Sequence, residues 1–177
     1  MRGERSGVDR RQAIVEQIPH LRRYARALGR DAGTADDLVQ DCLERALSRF
    51  HLFRAGTNLR GWLFTILHNL HVNQTRRAGR RPDDAALPDG GTGMAGPASE
   101  GPDRGLPVRD LGRALAKLPD DQREVVLLIG LEEMSYKEAA DTLGVPIGTV
   151  MSRLARGRER LRQLMDSGDA PVLRRVK

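Results

Sequence analysis

In "GVPIGTVMSRLARGRERL", residues 144–161, Thr149, Ser152, Arg156 and Arg160 share one face of a helix turning about 100° per residue. Ile147, Val150, Leu154 and Leu161 share the other. Short hydroxyl side chains at the start of such a helix suit contact with base edges in a DNA groove. Arginines further along suit guanine edges or phosphates. The charge is segregated to match: Asp120 to Asp141 holds seven acids against Arg123 and Lys137, whereas Thr149 to Met165 holds five arginines against one glutamate. A solvated basic helix in an ordinary bundle is the competing reading of this face. Arg158 falls on the apolar side, so the helix is expected to outrun its packing partner there.

The second chemistry-bearing stretch is acidic. Asp31 to Glu44 contains five acids and no lysine or arginine. Asp37 and Asp41 lie one turn apart with Gln40 beside them, roughly opposite Val39 and Leu43. Such a patch repels nucleic acid and should face solvent or a basic protein. The basic run "TRRAGRR" has the opposite character, and Arg76, Arg77, Arg80 and Arg81 can grip backbone phosphates.

Metal or nucleophilic chemistry finds little support. His68-x-x-His71 is a possible ligand pair, which His51 or nearby acids would have to complete. Neither histidine has an orienting carboxylate close in sequence, and no His/Cys/Asp cluster has ligand spacing. No Ser-His-Asp arrangement or phosphate-binding glycine loop is evident. The expectation is no metal, no cofactor, no catalytic residue and no small-molecule substrate. Cys42 is the one cysteine, so no intrachain disulfide can form and a reducing compartment follows. As a lone residue on an apolar face it is expected to be a buried small hydrophobe, not a redox sensor.

The elements that must carry these groups are helical throughout. Val15, Ile18, Leu21, Tyr24, Ala25 and Leu28 predict an amphipathic helix bent or started near Pro19. Thr34-x-x-Asp37 has capping-box form and predicts a second helix with the stripe Val39, Leu43, Ala46, Leu47, Phe50. "RAGTN" is turn chemistry in which Gly56 can take positive φ. A third helix follows from Leu59 with Trp62, Leu63, Ile66, Leu67 and Leu70.

Further along, Leu111, Leu115 and Leu118 precede Pro119, which ends their helix. "DDQREVVLLIGL" then places acids in a first turn, where the helix dipole favours them. Ser135-x-x-Glu138 caps a short helix that stops at Gly144, and Pro146 opens the next. A short capped helix, a glycine turn and a longer helix make a helix-turn-helix over 135–156.

Between these zones, residues 83–107 hold six glycines and four prolines and predict a flexible linker. The chain is therefore expected to be all-α: two small helical domains, 9–82 and 108–165, on a tether, with a tail at 166–177. Its formal charge of +6 favours a polyanionic partner. No apolar run approaches the roughly 18 residues of a membrane span, and the N-terminus lacks a signal-peptide core. The expected location is cytoplasmic, without membrane insertion.

Three stretches together, "ADDLVQDCLERAL", "FRAGTNLRGWLFTILHN" and "LPDDQREVVLL" with "MSYKEAADTLGVPIGTVMSRLARGRERL", resemble the extracytoplasmic-function sigma factors, the minimal bacterial sigma factors. The resemblance covers about residues 10–165 in the right order. It implies that 9–82 is sigma region 2 and 108–165 is region 4, with core RNA polymerase and promoter DNA as partners. Asp37, Gln40 and Asp41 would contact the β′ clamp helices. The loop Phe53 to Arg60, with Asn69 on the following helix, would capture a flipped base of the −10 element; Asn58 or Asn69 would read its edge and Phe53 would wall its pocket. Arg76 and Arg77 would hold the adjoining backbone. Trp62 and Phe64 invite assignment as stacking platforms, but their neighbours Ile66 and Leu70 favour the core for Trp62. Thr149, Ser152, Arg153, Arg156 and Arg160 would read the −35 element, while region 4 packs on the β flap. Met151 stands where relatives often carry lysine or arginine, which implies one phosphate contact fewer. An anti-sigma partner is also implied. A response-regulator transcription factor shares the helix-turn-helix, but 9–82 shows no alternating strand and helix units.

Overall fold

The structure is a computed structural model that describes residues 11–28, 31–54, 57–78 and 105–166. Among the described residues every regular element is helical. Residues 11–15 are helical, a turn at 16–17 interrupts them, and α1 (Ile18–Ala27) restarts with Pro19 in its first turn. Proline is tolerated there because no intrahelical partner awaits its missing N–H.

Helix α2 (Ala32–Ser48) begins at Asp31 and not at Thr34. The Asp31 carboxylate accepts from the Thr34 amide at 3.0 Å and the Thr34 hydroxyl at 2.6 Å. These bonds hold its pKa below the ordinary carboxylate value. A charged acceptor at the positive end of the helix takes the capping position ahead of the threonine hydroxyl. A 3-10 turn, Phe50–Leu52, leads towards α3 (Leu59–Ala78), where Asn58 Oδ1 accepts the Gly61 amide at 3.0 Å.

The three helices close over Leu21, Tyr24, Ala25, Ala35, Leu38, Val39, Cys42, Ala46, Leu63, Phe64 and Leu67, all buried. Tyr24 and Phe64 meet edge to face, with centroids 5.2 Å apart. Each large apolar side chain so buried contributes about 1.5–3 kcal/mol. Two positions assigned to the apolar stripes face outward instead, Val15 and Leu47, each about half exposed. Phe64 is core, and Trp62 is half-buried against Phe50 and Phe53.

In the C-terminal half, α4 (Gly105–Ala116) starts three residues inside the expected linker. The rest of that linker, Gly56, Arg80 and Arg81 lie outside the described residues. Pro119 separates α4 from α5 (Asp120–Gly130), whose first turn carries Asp120 and Asp121. Helix α6 (Tyr136–Leu143) has the full Ser135/Glu138 capping box and ends at Gly144, φ 64°, a left-handed residue that costs glycine least. Helix α7 (Ile147–Asp166) follows Pro146 and packs across α5. At that crossing a Cβ on Gly157 would stand 2.8 Å from Val126 Cγ2, so the absent side chain sets how closely the helices approach. Val150 and Leu154 are buried under α7, whereas Ile147, assigned to the same apolar face, is 48% exposed in the first turn. The two halves touch directly: α3 packs along α6, and α1 meets α5.

Candidate nucleic-acid interface

The capping box sets the short helix from which the recognition helix turns. Ser135 N and Oγ both donate to Glu138 Oε2, at 2.9 and 2.8 Å, and the Glu138 amide donates back to Ser135 Oγ at 3.2 Å. After the Gly144 reversal, α7 exposes Ser152, Arg156 and Arg160, with Thr149 half-buried. The Ser152 hydroxyl donates to the Thr149 carbonyl at 3.0 Å, and Arg156 Nε donates to the Ser152 carbonyl at 3.2 Å. Each of these side chains keeps further hydrogen-bonding capacity for an outside partner. Arg153 differs, since its Nε pairs with Asp121 at 3.2 Å and braces α7 against α5. Ile147 and Met151 add an exposed apolar strip one turn apart on the same end of the helix.

The residues expected to meet −10 DNA divide into two groups. Asn58 and Arg60 stand at the start of α3. The Phe53 ring instead lies tilted against Trp62, with centroids 5.2 Å apart. Arg60 reaches the Glu132 carboxylate at 2.7 Å and its carbonyl at 2.6 Å, and its guanidinium carbon lies 5.8 Å over the Phe64 ring. Asn58 Nδ2 donates to Glu138 Oε1 at 2.6 Å while its Oδ1 caps α3. Asn69 is exposed further along α3, and Arg76 and Arg77 are exposed in its last turn, where cations suit the helix dipole. At about 1.5 Å of rise per residue, Arg77 stands about 26 Å along the axis from Arg60. With about 100° of turn per residue, Asn69 and Arg76 face nearly opposite to Arg60, so the structure does not bring these side chains into one pocket.

On α2, Asp37, Gln40 and Asp41 are all exposed, on the side away from buried Leu38, Val39 and Cys42. Asp36 turns elsewhere and ties α2 to α1 through Arg22 at 3.2 Å and Arg26 at 3.7 Å. Gln40 donates to Glu44 at 3.1 Å. Cys42 is fully buried, its sulfur donates to the Leu63 carbonyl, and burial pushes its thiol up to about 12.

Three clusters across the halves escaped the sequence reading. Glu132, wholly buried, accepts from Arg23 Nε at 3.0 Å and lies 3.1 Å from His20 Nδ1, in addition to Arg60. The bond to Glu132 raises the Arg23 pKa above its ordinary value, so that guanidinium stays charged. Glu124, also buried, sits 3.5 Å from His68 Nδ1 and 3.7 Å from His71 Nε2. The Asn58–Glu138 bond is the third. Among the described residues no group of His, Cys, Asp and Glu is arranged to hold a metal ion, and no helix is long and apolar enough to cross a membrane.

Comparison with known proteins gives these faces a context. Residues 14–68 match the family described as the Sigma2 domain of PhyR, and residues 109–161 match Sigma-70, region 4. The ECF RNA polymerase sigma factor EcfG of Rhodopseudomonas palustris is 40% identical over 155 residues, covering 88% of this chain and 84% of that protein. The RNA polymerase sigma factor HrpL of Pseudomonas syringae pv. syringae is 33% identical, over 88% of this chain and 86% of its own. Among solved structures, the sigma factor RpoE of Bartonella quintana, in complex with the anti-sigma factor NepR, superposes with a TM-score of 0.74. It is 36% identical, over 90% of this chain and 98% of that one. CnrH, in complex with the cytosolic domain of CnrY, gives 0.66 at 28% identity, over 89% and 87%. Agreement of this extent, spanning both helical halves in order, makes the chain a member of the extracytoplasmic-function RNA polymerase sigma factors.

Proposed function

We propose that this protein is a dissociable initiation subunit that carries bacterial core RNA polymerase to promoters through two separate contacts. Region 4, taken as 108–165, reads the −35 element with Thr149, Ser152, Arg156 and Arg160, while Arg153 chiefly braces the helix. Region 2, taken as 9–82, captures unpaired −10 bases near Phe53, Asn58 and Arg60, and Asn69, Arg76 and Arg77 track the strand beyond. Residues 83–107 let the two engage at promoter spacing. Asp37, Gln40 and Asp41 dock on the β′ clamp helices, and region 4 seats on the β flap. Polymerisation belongs to the core enzyme, and this chain contributes no catalytic group and works in the cytoplasm. An anti-sigma factor restrains it in a stress or envelope response; the similar sigma factor RpoE of Bartonella quintana is found in complex with the anti-sigma factor NepR.

The observation that carries this reading is the exposed row Ser152, Arg156 and Arg160 on a helix fixed behind a capped turn, with the acidic α2 face exposed elsewhere. Run-off transcription with core polymerase and a genomic promoter library tests it. Specific transcripts should appear only with this protein present. Arg156→Ala should abolish most of them while core binding persists. Equal loss of both activities contradicts the role given to Arg156.

A further inference from the structure

The contacts between the halves converge on the groups that the proposed function assigns to −10 DNA. Arg60 and Asn58 belong to region 2, yet in this structure both are engaged by carboxylates of region 4, Glu132 and Glu138. Glu132 has no exposed surface, and its three charged or titratable partners, His20, Arg23 and Arg60, all come from region 2. Removing a carboxylate from water is costly unless opposing charges and donors surround it. Glu132 finds that surrounding only when the halves are together. The turn bringing it there holds Glu133 at φ 54°, an uncommon conformation for a residue with a side chain. Arg23 Nη2 reinforces the turn by donating to the Leu131 carbonyl at 2.9 Å. Guanidinium groups donate to carboxylates and phosphates with the same planar fork, so Glu132 and a DNA phosphate compete for Arg60.

We propose that the turn and helix start of region 4 bearing Glu132 and Glu138 act as an internal substitute for the −10 strand, occupying Arg60 and Asn58 and closing the chain against promoter DNA. The site is the donor pair Arg60 and Asn58 at the start of α3. Its outside ligand is single-stranded DNA, and its internal ligand is the 131–138 segment. Arg23 and His20 hold the internal ligand in place. The closed chain binds single strands weakly, and any partner that separates the halves exposes the pair. Apparent affinity then scales with the open fraction. This inference rests on the assignment of Asn58 and Arg60 to −10 DNA.

The test uses the full chain and a fluorescein-labelled, random-sequence single-stranded DNA pool, read by anisotropy, with small-angle X-ray scattering on the same samples. Glu132→Gln and, separately, Arg23→Ala should enlarge the radius of gyration and tighten DNA binding about tenfold or more. Arg23→Ala should do so although it removes a positive charge, and it decides the matter if Glu132→Gln loses its helical signal. Asp141→Asn, which changes the charge as Glu132→Gln does but lies on the exposed face of α6, should do neither. Adding Arg60→Ala to the opened variants should cancel the gain. Unchanged size and affinity in both variants would overturn the inference while leaving the −10 assignment standing. Expansion without tighter binding, or a gain indifferent to Arg60→Ala, would overturn the assignment and the inference with it.

Discussion

Gly157 offers a quantitative check on how the recognition helix is held. In Gly157→Ala the new Cβ meets Val126 Cγ2 at 2.8 Å, with Gln122 Cβ and its carbonyl oxygen at 3.4 Å. Carbon atoms in comfortable contact stand about 3.5–4.0 Å apart, so about 0.7 Å or more must be found. Val126 is β-branched and nearly fixed in one rotamer within a helix, so the side chain cannot readily swing away. The helices must separate, at about 1–3 kcal/mol for an overpacked contact. Against this, alanine is about 1 kcal/mol better than glycine inside a helix. The net expectation is a loss of about 0–2 kcal/mol. In a Val126→Ala background the obstructing methyl is gone and only the propensity gain remains, so Gly157→Ala should become stabilising there. Urea denaturation of the full chain, followed by helical circular dichroism across the four-member cycle, measures the coupling. Additivity within about 0.5 kcal/mol would refute the close crossing of α5 and α7.

Asp37→Arg combined with Asp41→Arg should weaken association with core polymerase at least tenfold without altering the melting transition; unchanged affinity removes that face from the docking surface. Ser135→Ala should cost about 1 kcal/mol, the usual value of an N-cap, read as a lower urea midpoint. The Ser135 amide, and then its hydroxyl, hold Glu138 below its ordinary value of 4.5. A depressed carboxylate stabilises the fold above that unfolded value and ceases to as pH falls through the folded one. The advantage of wild type over Glu138→Gln in urea should therefore be present at neutral pH and vanish in acid. Cys42, with its thiol pushed up to about 12 and no exposed surface, should resist iodoacetamide in the folded chain and react fully in denaturant. Labelling at equal rates in both states would contradict its burial.

Much of this was legible in the linear chain because it is local. The Ser135/Glu138 box, the Gly144 stop, the break around Pro19 and the split between buried Val150 and exposed Arg156 each depend on residues within a turn or two. Errors arose where two local solutions competed or where packing decided. Asp31 and Thr34 both offer a cap, and charge decides between them. Ile147 and Leu47 have the right period but lie beyond the reach of their packing neighbours. Arg153 and Asp121 meet across two helices, a pairing that neither the wheel nor the resemblance anticipates. The contacts of Glu132 with Arg23 and of Asn58 with Glu138 span 109 and 80 residues, and no periodicity or motif anticipates them. His68 and His71 lack a carboxylate nearby in sequence, yet folding supplies Glu124 from the other half.

The Glu138 carboxylate divides its work by oxygen atom. Oε2 serves Ser135 on its own helix, and Oε1 alone reaches Asn58, whose remaining atom, Oδ1, serves α3. Breaking this contact releases a single amide-to-carboxylate bond and unravels neither helix start. The caps of both helices are therefore independent of the contact between the halves, and each first turn stays wound without it.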